Sequence, residues 1–213
     1  DSVPIVVSQV PSGVGTSSSD LRPVVRVLFI YPTYRNMLSP AIGLLAAVLK
    51  ERGHEVQVFD TAFYADTYGN GESLDADVQK SDRLQARPYE MPEDLQFKTT
   101  DPFDDLLAQV DGFNPDLLAM SCTEDMWGLG VDLLSFVRER RNVLTIVGGV
   151  FPTFAPRMAL AHDAVDIVCK GEGENALAQL CDRIALGQSY DDVPNLWIKS
   201  ASGAVTENSI QMV

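Results

Sequence analysis

At 213 residues the chain is long enough for one well-buried domain with some irregular sequence and too short for two large ones. A hydrophobic fraction of 46% and a charged fraction of 22% exclude a disordered or fibrous class. Thirty acidic against sixteen basic residues give a formal charge of −14, a field that repels phosphate backbones and anionic lipid heads and removes nucleic acid from the expected partners.

No apolar run approaches the ~20 residues of a membrane span, and the N-terminus lacks the basic-then-apolar pattern of a signal peptide, so the expected address is the cytoplasm. Cys122, Cys169 and Cys181 are too few and too irregularly spaced for a disulfide framework, a zinc site or an iron-sulfur triad. They read as small buried apolar residues, and only Cys122 lies where a ligand would touch it.

In chain order, residues 1–22 read as a Ser-, Gly- and Pro-rich flanking segment, and the missing initiator methionine suggests a piece of something longer. Val24 to Tyr31 is a β-branched, aromatic run that predicts a strand buried on both faces. Ser39 and Pro40 form a cap and first-turn pair for a helix carrying Ile42, Leu45, Ala46 and Leu49 up to Gly53. Glu55 to Phe59 alternates as a second strand, and the polar stretch 61–100 then reads as an insertion, longer than usual βα connections.

Asp101-Pro102 opens another helix, which Gly112 and Pro115 stop, and Leu117 to Ser121 is a third strand. A helix over about 126–140 leads to a fourth strand, Val143 to Val147, and a short helical stretch from Phe154 to Leu160 to a fifth, Val165 to Cys169. Glu174 to Leu186 is helical up to Gly187. Asn195 to Lys199 and Ala204 to Glu207 read as a closing hairpin, and residues 208–213 as a tail or truncation point. The alternation predicts an α/β fold over 23–207: a doubly wound, flavodoxin-like or Rossmann-like parallel sheet of five strands with a C-terminal hairpin.

Such sheets bind ligands outside the carboxyl ends of their strands, so the candidate site residues are those that follow each strand. After the first strand come Tyr31, Pro32, Thr33, Tyr34, Arg35, Asn36, Met37 and Leu38, too bulky to wrap phosphate and without a dinucleotide glycine fingerprint. After the third come Ser121, Cys122 and Thr123, small residues that admit a flat ring and offer hydroxyls, with Thr123 also suited to capping the next helix. Gly148, Gly149, Val150, Phe151, Pro152 and Thr153 follow the fourth strand, and paired glycines let a ligand approach the backbone. After the fifth, Gly171, Glu172 and Gly173 precede a helix whose amides, with Glu172, suit hydroxyls or a single phosphate; a capped turn with acids favoured by the helix dipole explains the same residues.

Taken together, these loops resemble the N-terminal cobalamin-binding domain of cobalamin-dependent radical S-adenosylmethionine enzymes, a group of methyltransferases and cyclases. The resemblance covers about Val24 to Val205 and rests on Tyr31-Pro32, Ser121-Cys122-Thr123, the segment from Val147 to Thr153 and the segment from Asp166 to Glu174. It implies that cobalamin lies across the strand ends with its dimethylbenzimidazole tail in a slot beside the sheet. Ser121 and Thr123 would line that slot, Gly148 and Gly149 would let the tail pass, and Phe151, Pro152 and Thr153 would pack on it. Gly171, Glu172 and Gly173 would meet ring amides or the sugar-phosphate, and Tyr34 to Leu38 would sit under the cobalt.

Other cobalamin domains carry D-x-H-x-x-G with histidine as the lower cobalt ligand; this first loop has none, and neither His54 nor His162 is placed to reach the metal. The expectation is base-off cobalamin without a histidine ligand. The chain also lacks C-x-x-x-C-x-x-C, so S-adenosylmethionine and a [4Fe-4S] cluster belong to a radical SAM barrel elsewhere in a longer chain or in a partner, and no catalytic residue is assigned here. A phosphorelay receiver needs acids after the first strand and an aspartate ending the third, which Tyr31-Pro32 and Ser121 replace. The remaining rivals are a stand-alone cobalamin carrier or sensor and a flavin-binding module.

Overall fold

The chain is described from a computed structural model over residues 23–33, 39–64 and 98–212. The first apolar run forms β1 (Arg26–Tyr31), followed by α1 (Pro40–Glu51), β2 (Glu55–Asp60), α2 (Pro102–Phe113), β3 (Leu117–Ser121) and α3 (Glu124–Arg138). Then come β4 (Leu144–Gly148), α4 (Val150–Phe154), α5 (Pro156–Leu160), β5 (Ile167–Cys169), α6 (Glu174–Ala185), β6 (Leu196–Lys199) and β7 (Val205–Glu207). Among the described residues no helix is long and apolar enough to cross a membrane.

The strands make one sheet in the order β2-β1-β3-β4-β5-β6-β7. The first five are parallel, in the expected doubly wound order, and the closing hairpin extends the same sheet through antiparallel pairing of β6 on β5. Successive side chains in a strand point to opposite faces, so each core strand feeds two cores. Leu28, Ile30, Leu118, Met120, Val147 and Val168 pack under α2, α3 and α5 with Leu106, Leu133 and Leu160. Val27, Phe29, Leu117, Ala119, Ile146, Ile167 and Cys169 pack under α1 and α6 with Leu49, Leu177 and Leu180.

Local chemistry sets the element ends. Asp101 caps α2 by accepting from Phe103 N at 2.8 Å, whereas Ser39 takes the cap position of α1 without a side-chain bond. Gly112 does not stop α2; the helix runs to Phe113, and Asn114 ends it in the left-handed region at φ 50°. The single helical stretch expected over Phe154 to Leu160 is two helices. Ala155 precedes Pro156 and takes φ −126°, ψ 51°, because the proline ring clashes with a helical residue before it.

β5 is shorter than expected because the N–H of Asp166 donates to Thr145 Oγ1 at 3.0 Å instead of to the backbone of β4. The Asp166 carboxylate accepts from Thr145 N at 2.8 Å and pairs with Arg138, tying the start of β4 to β5 and α3. Of the 61–100 stretch, Thr61 to Tyr64 and Lys98 to Thr100 are described. Lys98 N donates to Phe63 O at 2.7 Å, and the Tyr64 hydroxyl donates to Asp105 at 2.7 Å. Asn208 to Gln211 fold back on the domain, with Asn208 donating to the carbonyls of Asp191 and Val193, both at 2.8 Å.

Candidate functional site

The register of the sheet builds a cleft at its carboxyl edge. Phe29 lies beside Ala119, Ala119 beside Ile146 and Ser121 beside Gly148, so along β3 and β4 the side chains on the α1 and α6 face shrink towards the edge. Cys169 ends β5 on the same face. Ala41 and Leu45 of α1 form one wall, and Gly173, Glu174 and Leu177 at the start of α6 form the other. The enclosed space is about 190 Å³ and opens to solvent.

The two glycines at the end of β4, Gly148 within it and Gly149 after it, have different roles. A Cβ on Gly148 would meet only Cys169, its Cβ at 3.6 Å and its carbonyl oxygen at 3.8 Å, so a side chain fits the backbone there but takes space from the cleft. Gly149 has φ 99°, and a Cβ on it would lie 2.6 Å from the Cys122 carbonyl oxygen. Gly149 is therefore glycine because α4 starts against the end of β3. Across the cleft, Gly173 brings the start of α6 close to α1, where an added Cβ would stand 3.3 Å from Leu45 Cδ2.

The loop after β5 is held from two sides. Gly171, at φ 87°, donates its N–H to Thr153 Oγ1 at 3.1 Å, joining it to α4. Asn195 Nδ2 donates to the Glu172 and Gln211 carbonyls at 2.9 and 3.0 Å, and its Oδ1 accepts from Gln211 N at 2.6 Å. Asn195 is thus a support for the site that strand assignment alone hides.

Of the residues expected at the site, Ser121, Gly148, Gly149, Gly171, Glu172 and Gly173 line the cleft. Tyr31 ends β1 on the same face, packed against that core. Cys122 points to the opposite face and is buried there; burial, and secondarily Asp125, pushes its thiol up to about 12. Thr123 precedes α3 and bonds the Asp125 carboxylate rather than capping the helix with its hydroxyl. Phe151 stacks at 4.7 Å on Trp127, Pro152 is buried and Val150 is exposed. Thr33 is buried, its N–H donating to Thr61 Oγ1 at 2.8 Å, and Pro32 packs close to Gly130 of α3. Tyr34, Arg35, Asn36, Met37 and Leu38 lie outside the described residues.

Sequence reading missed the cleft residues that lie within strands and helices, chiefly Phe29, Leu45, Ala119, Cys169 and Glu174. Small residues two apart in β3, Ala119 and Ser121, were the signal available. The Cys169 thiol is pushed up to about 12 by burial and then by the Glu174 carboxylate, so it stands neutral in the wall. Glu174 Oε2 is buried without a hydrogen-bond partner among the described residues.

Among the described residues no three His, Cys, Asp or Glu side chains gather as a metal site. His54 lies just before β2, at the other end of the sheet, where its Nδ1 accepts from Val25 N at 3.3 Å and its Nε2 is 3.3 Å from Asp182. His162 follows α5 and sets its ring edge on Trp127 at 5.7 Å.

Residues 88–181 match the family model described as the B12 binding domain. The chain is 25% identical over 166 residues to cytidylyl-2-hydroxyethylphosphonate methyltransferase of Streptomyces wedmorensis, an alignment covering 77% of this chain and 28% of that protein. Its fold matches the radical S-adenosylmethionine methyltransferase TsrM of Kitasatospora setae, solved with cobalamin and a [4Fe-4S] cluster bound, at TM-score 0.60 and 17% identity, over 89% of this chain and 30% of that one. It also matches the cobalamin-dependent S-adenosylmethionine radical enzyme OxsB, solved with aqua-cobalamin and S-adenosylmethionine bound, at TM-score 0.59 and 17% identity, over 89% of this chain and 23% of that one. The chain thus spans less than a third of the length of these relatives.

Proposed function

We propose that this chain, which carries a B12-binding domain, is the cofactor-holding part of a cobalamin-dependent radical S-adenosylmethionine methyltransferase. The nucleotide tail of cobalamin enters the cleft between α1 and α6, and no histidine binds the cobalt. The observation that carries this reading is the cleft itself: an apolar space of about 190 Å³ at the carboxyl edge of a doubly wound sheet, floored by Ala119, Ser121 and Gly148. A tail with a flat base needs that gap, and the residues present fit it.

When bound, cobalamin supplies methyl-group transfer at cobalt. The chain's own residues hold and shield it. Phe29, Ile146 and Leu177 present apolar surface to the base and exclude water from it, while Gly148 leaves space that any larger side chain would fill. The Ser121 hydroxyl has no protein partner among the described residues, which leaves it able to donate to a ring nitrogen or accept from a sugar hydroxyl. Gly171 to Gly173, held by Thr153 and Asn195, border the mouth of the cleft and contact the outer part of the ligand.

Residues 23–207 act as this module, with 61–100 as its insertion, and the radical SAM barrel with its cluster and S-adenosylmethionine belongs to the longer protein or a partner. The names of the curated relative and of TsrM favour methyl transfer over cyclisation. The test is incubation with hydroxocobalamin, removal of free ligand and an absorbance spectrum. Retained corrin bands are expected; flavin bands or none would overturn the proposal. Lower-face ligation is read separately, by electron paramagnetic resonance of the bound Co(II) form. Nitrogen superhyperfine splitting that vanishes in His54→Ala or His162→Ala would overturn the histidine-free site.

A further inference from the structure

Glu174 is the first residue of α6 and stands in the wall of the cleft beside Gly173 and Leu177. Its Oε2 is buried and receives no hydrogen bond among the described residues. A carboxylate oxygen so placed has given up water without gaining a donor, which is costly in a native fold unless another molecule supplies one. Among the described residues no donor on the helix or its neighbours compensates the burial. An acid at a helix start gains from the dipole even when solvated, so the dipole does not require the oxygen to be buried. Among the described residues no basic side chain forms an ion pair with Glu174, and the nearby Cys169 thiol is made harder to ionise by it rather than relieving it.

The cleft thus has two polar side chains of different capacity. The Ser121 hydroxyl both donates and accepts, whereas the Glu174 carboxylate only accepts. A ligand that satisfied both would bring an O–H or N–H to the α6 side. Hydrogen bonds to an ionised acceptor are roughly twice as strong as neutral ones, so this contact discriminates between ligands that carry the donor and ligands that lack it.

We infer that Glu174 is a specificity-determining residue of this cleft: its buried Oε2 accepts a hydrogen bond from an O–H or N–H donor on the nucleotide tail of the cofactor. The inference rests on the reading that the tail occupies this cleft, and it adds that the protein selects the complete cofactor over a corrinoid without the tail.

The experiment compares hydroxocobalamin with diaquocobinamide, which has the corrin ring but no nucleotide, for binding to the intact chain and to its Glu174→Gln and Glu174→Ala variants. Glu174→Ala is expected to weaken hydroxocobalamin binding about 10- to 100-fold and to leave cobinamide within about twofold, with Glu174→Gln intermediate because its amide oxygen still accepts. Because Glu174→Gln keeps the shape of the side chain and removes no hydrogen bond among the described residues, its melting temperature without ligand is expected to stay close to that of the parent chain. Unchanged hydroxocobalamin affinity in both variants, equal losses for both corrinoids, or a marked fall in melting temperature in Glu174→Gln would each overturn the role of Glu174. Failure of the parent chain to bind hydroxocobalamin would overturn the cofactor reading and this inference together, whereas parent binding with indifferent variants overturns the inference alone.

Discussion

The two faces of the sheet are built from the same strands, yet they end differently at the carboxyl edge. On the α3 and α4 side, Met120, Cys122 and Val147 lie under Trp127 and Phe151, and packing is so close that a Cβ on Gly130 would fall 2.4 Å from Met120 Sδ and 2.9 Å from Pro32 Cγ. On the α1 and α6 side, the alternate residues Ala119, Ser121 and Gly148 leave a gap. Protein interiors close such gaps by default, since a void forfeits dispersion contacts. A space maintained on one face and filled on the other is therefore a feature of the sequence, and it is the face to which the proposed function assigns the ligand.

Alkali is expected to have the largest effect and to spare neither face. Burial pushes Cys122, Cys169 and Cys181 each up to about 12, so the folded thiols keep protons that the unfolded chain gives up near its ordinary thiol value of 9. Between those values the unfolded state binds fewer protons, and stability falls as pH rises, by up to ~1.4 kcal/mol per pH unit for each thiol. Denaturant titrations at stepped pH check this; constant stability from pH 9 upward would show that the thiols are less buried than described.

Substitutions then separate the faces. Leu133→Ala removes a fully buried side chain from the filled core and is expected to cost about 2–5 kcal/mol in urea unfolding, with cofactor affinity of the folded protein unchanged. Gly148→Leu should do the reverse: a near-parental unfolding curve with corrinoid binding weakened about 100-fold, ~2.7 kcal/mol. Substitution at Gly149 would not serve here, because its missing Cβ points at the Cys122 backbone and the chain would be strained whether or not a ligand passes. The smallest effect belongs to Thr153→Val, which deletes the bond from Gly171 N and should cost about 0.5–1.5 kcal/mol, seen as faster amide exchange at Gly171.

The fold was largely legible because buried parallel strands announce themselves as unbroken apolar runs, and β1, β3 and β4 each fall within two residues of their expected limits. The break at Ala155 was equally available from Pro156 but was outweighed by the apolar spacing on either side. For the site, position along the chain was readable and facing was not. Ser121 and Cys122 are neighbours that point to opposite faces, and Gly148 and Gly149 divide between cleft and backbone, because the two-residue period of the strand ends just where the loop begins. Glu174 could not be found at all, since an unpartnered oxygen exists only once its surroundings are folded.

The most direct test is a crystal structure of the chain with hydroxocobalamin bound. The dimethylbenzimidazole base is expected to lie over Ala119, Ser121 and Gly148 with α1 and α6 on either side. A tail lodged against Trp127 and Phe151 on the other face, or a base still coordinated to cobalt outside the sheet, would contradict that placement.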